Sequence, residues 1–252
     1  MDADRKATLD ALRHTIADIE RHPPLAEAAG TEASMDGALV LPSGCFHEIR
    51  HPHAADQAAA DAFALLAAAS WRRPGRPAVI HLHLRRGEPL FGLPYAHGLA
   101  PIGLPNRDLV IGRLETVEDL LWACEQASTS RAVAGIVLDL SGHRKPLDFT
   151  SGRRLSLRAA EHGCGIAMVR HGSPEGATGA GFRWSVSSAP SLPKPYDDKA
   201  PGAPCWSVRL EKGNLPGMVP GSRITVSVED GTMVPVAAAR APDGAVPVSR
   251  SA

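Results

Sequence analysis

Hydrophobic and polar positions follow two rhythms along this chain, and the switch between them sets the expected architecture. Leu9, Leu12, Ile16 and Ile19 recur at steps of three, four and three. That spacing predicts an amphipathic helix over Ala3–Arg21, with charged residues on its other faces. The helix should stop before His22-Pro23-Pro24, because proline disfavours helical backbone in the residue before it. A polar, Ala/Gly-rich linker follows through Gly37.

From about Ala38 the pattern becomes strand–helix–strand. Cys45–Ile49 reads as a short strand, Asp56–Arg72 as an Ala-rich helix, and Pro77–Leu84 and Asp108–Leu114 as strands. Thr116 is placed to cap a helix running to Ser128, with Asp119 completing a capping box. Ala132–Leu140 is a near-continuous apolar run that includes Asp139, the pattern of a strand buried on both faces. Thr150–His162 reads as a helix stopped by Gly163, and Cys164–Arg170 as another buried strand.

Such alternation predicts an α/β fold with a mainly parallel sheet flanked by helices. Ligands in such sheets bind beyond the carboxyl ends of the strands. The loops of interest are therefore Arg50–Ala55, Arg85–Gly92, Ser141–Phe149 and His171–Gly181. After Gly181 the period falls to two. Phe182–Ser188 and Cys205–Leu210 read as strands separated by the loop Ala189–Pro204. Ile224, Val226 and Val228 alternate with polar residues, and Asp230-Gly231 turns the chain into Met233–Val236. The expected division is residues 1–37 as N-terminal helix and linker, 38–212 as core, and 213–252 as a β-hairpin and flexible tail.

Composition adds limits. The 252 residues suit one large domain with an appended tail. Apolar residues at 44% suffice for a core, and aromatics at 4% leave it to Ala, Leu, Val and Ile. Lys plus Arg and Asp plus Glu are both 27, so overall charge gives no argument for nucleic acid. Cys45, Cys124, Cys164 and Cys205 form no CxxC pair; they read as buried reduced thiols, with no metal expected. The start, Met1–Lys6, lacks an apolar signal region. The longest apolar stretch, Ala58–Ala69, is interrupted by Asp61 and falls short of the roughly 20 residues that cross a bilayer. No membrane association is expected, and the cytoplasm is the expected compartment.

The order of elements from Leu41 to about Leu210 resembles the RecA core. Leu41-Pro42-Ser43-Gly44-Cys45-Phe46-His47-Glu48-Ile49 is similar to the strand that leads into the phosphate loop. Val133–Asp139 is similar to the Walker B strand, with Asp139 at its acidic position. The stretches Leu41–Ile49, Leu120–Ala127 and Leu147–Leu157 more closely resemble the ImuA family of RecA-like proteins of the damage-inducible mutagenesis cassette. That resemblance implies a RecA-like P-loop core and an accessory role in SOS mutagenesis and translesion DNA synthesis. The partners it implies are an ImuB-like protein, an error-prone DNA polymerase, RecA and single-stranded DNA. It also implies association with the nucleoid after damage.

The phosphate loop is where the chain departs from that pattern. A P-loop needs G-x-x-x-x-G-K-[ST] after the first strand, so that amides and Lys hold phosphates. Here the corresponding residues are His51, Pro52, His53, Ala54, Ala55, Asp56, Gln57 and Ala58. Gln57 stands in place of Lys, Ala58 in place of Thr, and Asp56 adds a negative charge. The expectation is a degenerate loop, no cofactor and no ATP hydrolysis. Two alternatives stay open: a divergent nucleotide hydrolase rebuilt around Asp139, His81 and His83, and a RecA or cell-division regulator on the same fold.

Other candidate surfaces complete the reading. Arg144, Lys145, Arg153, Arg154 and Arg158 gather around one loop and the helix after it, and Arg170, His171 and Arg183 border the next loop. These are the DNA-contact candidates, through phosphate contacts that weaken with salt. The stripe Leu9, Leu12, Ile16 and Ile19 is the partner-binding candidate, with self-association through the same helix as a further expectation. His51-x-His53 and His81-x-His83 are i, i+2 pairs that on a strand share one face and could hold a metal, though no nearby cysteine completes a ligand set.

Overall fold

The computed structural model describes residues 37–85, 93–140, 147, 149–171, 179–194 and 196–236. The expected helix carrying Leu9, Leu12, Ile16 and Ile19, the residues Arg144 and Lys145, the side chain of His171 and the segment after 236 lie outside this description.

The strands are β1 (Phe46–His51), β2 (Ala78–Leu84), β3 (Leu109–Leu114), β4 (Val133–Asp139), β5 (Gly165–His171), β6 (Phe182–Ala189), β7 (Pro193–Lys194), β8 (Asp197–Pro201), β9 (Cys205–Lys212), β10 (Arg223–Glu229) and β11 (Thr232–Val236). The helices are α1 (Gln57–Ser70), α2 (Ala96–Leu99), α3 (Val117–Ser128) and α4 (Phe149–His162). Nine strands form one sheet in the order β11-β10-β9-β6-β1-β5-β4-β2-β3. Neighbours from β6 to β3 pair in parallel, while β9, β10 and β11 extend the sheet antiparallel. The chain is thus an α/β protein with a mostly parallel central sheet flanked by helices.

Each face carries its own core. On one, α1 lays Phe63, Ala64 and Leu66 against Ile49, Val137, Val169 and Trp184. On the other, Leu120 and Cys124 of α3 and Leu155 and Ala159 of α4 cover Ile136, Leu138, Ile166 and Met168. Strand residues alternate between the faces because successive side chains point to opposite sides. All four cysteines are buried and free.

The structure adjusts several boundaries. β1 runs to His51, two residues beyond its expected end, because β5 pairs with it as far as His51↔His171. The helix expected from Asp56 begins at Gln57, since Ala54–Asp56 forms a 3-10 turn. Thr116 caps α3 by accepting the Asp119 N–H at 3.0 Å, and its hydroxyl donates to the Asp119 carboxylate at 2.7 Å. The loop 189–204 carries the small β7–β8 ribbon. The expected boundary at 212 divides a continuous sheet. β10 pairs with β9, and Val226 and Met233 join the core of the α1 face.

Candidate functional site

The junction between β1 and α1 holds the residues expected at a phosphate-loop position. His51 is buried at the end of β1, and its Nδ1–H donates to the His53 carbonyl at 3.1 Å. Pro52, His53 and Ala58 are exposed. The Asp56 N–H donates to the His53 carbonyl at 2.9 Å, and the Gln57 N–H donates to the Ala54 carbonyl. A phosphate loop turns such amides toward the anion; here the 3-10 turn uses both. The Asp56 carboxylate is buried and accepts the Ser188 N–H of β6 at 2.9 Å. The Asp56 side chain is thereby committed to β6.

One turn into α1, Asp61 faces the end of β4. Burial and the nearby charge of Asp139 push its carboxyl up to about 8, against a smaller opposing effect of Gln57. The opposing effect is a side-chain hydrogen bond with Gln57, one turn back along α1. His81 and His83 lie on the same sheet face, with ring centres 5.9 Å apart and 1% of each residue exposed. His83 stands beside Asp139 across the β2–β4 ladder. Burial lowers His81 to about 4, partly offset by Asp139 and reinforced by His83. Asp61, His81 and Asp139 line a pocket of about 190 Å³ whose other walls include Leu65, Leu93 and Leu99. Ligand pockets for drug-sized molecules span roughly 300–1,000 Å³, so this one is too small for a nucleotide. Among the described residues no group of three His, Cys, Asp or Glu could hold a metal ion. The His51/His53 and His81/His83 pairs do not assemble one.

The expected DNA-contact residues divide into two environments. Arg153, Arg154 and Arg158 are exposed on α4, flanking its buried stripe of Gly152, Leu155, Ser156 and Ala159. Arg154 pairs with Glu125 at 2.6 Å, and Arg158 with Glu161 at 3.2 Å. Arg170 and Arg183 are instead part of the sheet. Arg170 is the register partner of Arg50, and Arg183 that of Glu48. Arg170 is fully buried, and Arg183 donates from Nε to Glu48 at 2.9 Å. Arg50 reaches the other oxygen of Glu48 at 3.0 Å and Glu211 at 3.7 Å. Burial lowers the pKa of Arg170, and Glu48 opposes that shift. In this position Arg170 belongs to a buried charge cluster centred on Glu48 and does not reach solvent.

His47 fills the middle of β1 without being a reactive group. It stacks between Phe182 at 5.0 Å and Trp71 at 5.5 Å. Its Nε2–H donates to the Pro42 carbonyl at 2.8 Å, and its Nδ1 accepts the Trp184 indole N–H at 3.2 Å. Burial lowers its pKa to about 4, so the neutral ring is fixed in one tautomer.

Two groups of this arrangement were not singled out from sequence. Asp61 was visible as the charge that interrupts the apolar stretch Ala58–Ala69. Glu48 was visible as an acid inside a strand whose six residues are all buried. A lone charge in a buried element is the available signal for both.

The fold and site define the class of molecule only as far as the α/β architecture. No family model matches the chain, and no curated protein matches it.

Proposed function

We propose that this chain is a non-catalytic accessory protein of damage-induced mutagenesis, built on a RecA-like core whose nucleotide site has been closed. The observation that carries the non-catalytic part is the β1–α1 junction, where the turn consumes the Asp56 and Gln57 amides and the Asp56 side chain is committed to β6. The parallel sheet flanked by helices is compatible with a RecA-like core, and Asp139 ends β4 as the Walker B acid would. The tie to mutagenesis rests on the resemblance of Leu41–Ile49, Leu120–Ala127 and Leu147–Leu157 to the ImuA family.

On this reading the protein bridges an ImuB-like partner and an error-prone polymerase to RecA filaments or single-stranded DNA. Of the candidate phosphate contacts, Arg153, Arg154 and Arg158 are exposed, with Arg154 paired to Glu125 and Arg158 to Glu161. The stripe Leu9, Leu12, Ile16 and Ile19 is the partner surface.

Pull-down of an ImuB-like protein and the polymerase tests the reading, with Leu12→Asp/Ile16→Asp as the comparison. Capture by the unaltered chain that is lost in the double variant supports it. No capture by the unaltered chain sinks the bridging role, and capture by both forms removes the stripe. Labelled ATP is the companion measurement. Micromolar binding that Asp139→Ala abolishes would favour the rebuilt nucleotide site instead.

A further inference from the structure

Four arginines and a serine stand in one row across five strands. Arg223 is the register partner of Arg209, Arg209 of Ser185, Ser185 of Arg50, and Arg50 of Arg170. Register partners point to the same side of a sheet. Here it is the side of α3 and α4, because Trp184, Val186, Val208 and Leu210, which alternate with Ser185 and Arg209, belong to the core of the α1 face. The inner end of the row is buried, with Arg50 held by Glu48 and Glu211.

The outer end is open. The core under α3 and α4 includes no residue of β6, β9 or β10. Arg209 and Arg223 are both exposed, and neither forms an ion pair or a side-chain hydrogen bond with another described residue. Like charges directly opposite each other destabilise a sheet, and an external anion would offset that repulsion. A second like-charged pair, Arg183 and Lys212, stands farther along β6 and β9. The Lys212 ammonium is fixed there by the Ala180 carbonyl at 2.6 Å. At Lys212 a pocket of about 380 Å³ begins, with Phe46, Ala180 and Phe182 among its walls.

We infer that this open part of the sheet binds single-stranded nucleic acid, with Arg209 and Arg223 on its phosphates and one base in the pocket beside Lys212. Arginine forks suit phosphate oxygens, and the Ser185 hydroxyl offers one more donor in the row. The row has no aromatic ring, so its contacts are to the backbone and do not read sequence. The pocket falls within the range of small-molecule sites, and its apolar walls suit the face of a base. A single strand presents such a base without first breaking a pair. An acidic peptide would satisfy the arginines and leave the pocket unused. Neither an ImuB-like partner nor a polymerase enters the argument, so the inference stands apart from the mutagenesis reading.

Fluorescence anisotropy of a labelled oligothymidylate of about 16 nucleotides, titrated with the full chain, tests it. Saturable binding is expected, weakened at least about tenfold in Arg209→Gln/Arg223→Gln. Loss of two phosphate contacts should also lower the slope of log affinity against log salt by about 1.4. Arg154→Gln/Arg158→Gln, on the side of α4 that meets Glu125 of α3, should bind as the unaltered chain does. No saturable binding overturns the inference, and so do affinity and slope unchanged in the Arg209/Arg223 variant. Loss in the α4 variant alone also overturns it and moves the contact to α4. Three further arms need no variant: equal affinity for poly-L-glutamate, for a duplex of the same length or for an abasic strand overturns the inference as well.

Discussion

The carboxylate of Asp56 accepts the backbone N–H of Ser188 at 2.9 Å, tying the start of α1 to β6. Asp56 is buried, while Ser188 is exposed near the end of β6. Asp56→Ala would remove that hydrogen bond at a net cost of about 0.5–1.5 kcal/mol, since the N–H of the exposed Ser188 can turn to water. Urea denaturation should show this as a lower midpoint with an unchanged slope. On the proposed reading neither the variant nor the unaltered chain binds ATP, because the 3-10 turn occupies the amides of residues 56 and 57 in both. ATP binding gained on removing the carboxylate would mean that charge alone closes the site.

Glu48 holds together cations from three strands. It accepts from Arg50 and Arg183 while itself fully buried, with Arg170 alongside. Deleting one partner of a buried ionic cluster leaves uncompensated charge and costs about 3–5 kcal/mol. Glu48→Gln should therefore destabilise the fold by that order in a denaturant titration. Glu48→Gln combined with Arg183→Met should be more stable than Glu48→Gln alone, since it removes one stranded cation. A double variant no better than the single would show that Arg183 finds its own solvation.

Stability should peak in mildly acidic solution. His47 and His81 titrate near 6.5 when unfolded but near 4 in the fold, so between those values the unfolded chain binds more protons. Stability consequently climbs as pH rises through that window. Asp61 acts with the opposite sign. Its folded value of about 8 lies above the ordinary 3.8, so its contribution is present at low pH and lost as pH rises to about 8. Two histidines outweigh one acid below about pH 6.5, and above it the acid acts alone, which places the maximum near there. Denaturation midpoints across the range should trace that peak, and Asp61→Asn should flatten its alkaline side. A midpoint that keeps climbing between about pH 6.5 and 8 would contradict the assignment.

Trp71 rests on a floor made by two glycines. Gly135 and Gly165 are register partners on β4 and β5, and the indole lies over both while its N–H donates to the Leu41 carbonyl at 2.7 Å. A Cβ at residue 165 would come within 2.2 Å of the ring, and one at residue 135 within 2.5 Å. Gly165→Ala should cost at least about 1–3 kcal/mol through overpacking and shift the tryptophan emission. Wild-type stability in that variant would show that the ring has room to slide.

Much of this architecture could be read from spacing alone. The apolar runs of β4 and β5 and the stripe of α4 are strong local patterns, and the structure places them close to their expected limits. The glycines under Trp71 lie in β4 and β5, where glycine in a strand often marks close approach, but no expectation was attached to them. What spacing could not supply was register. Arg170 and Arg183 stand at the ends of strands in the sequence and read as loop-bordering cations. Only pairing of β1 with β5 and β6 brings them to Arg50 and Glu48. Asp61 and Asp139 are likewise far apart in the chain, and their proximity depends on how α1 crosses the sheet.

The placement of β1 also has a consequence for assembly in time. It comes first among the described strands, yet both its neighbours, β5 and β6, arrive only after β2, β3 and β4. The outer parallel strands can pair as soon as they are made, while the central one waits with both edges open. Contacts so distant along the chain slow folding and prolong exposure of apolar edges. A ribosome-bound intermediate lacking β5 and β6 would therefore present β1 as its adhesive strand. Slower elongation before Gly165 should favour misassembly over native folding.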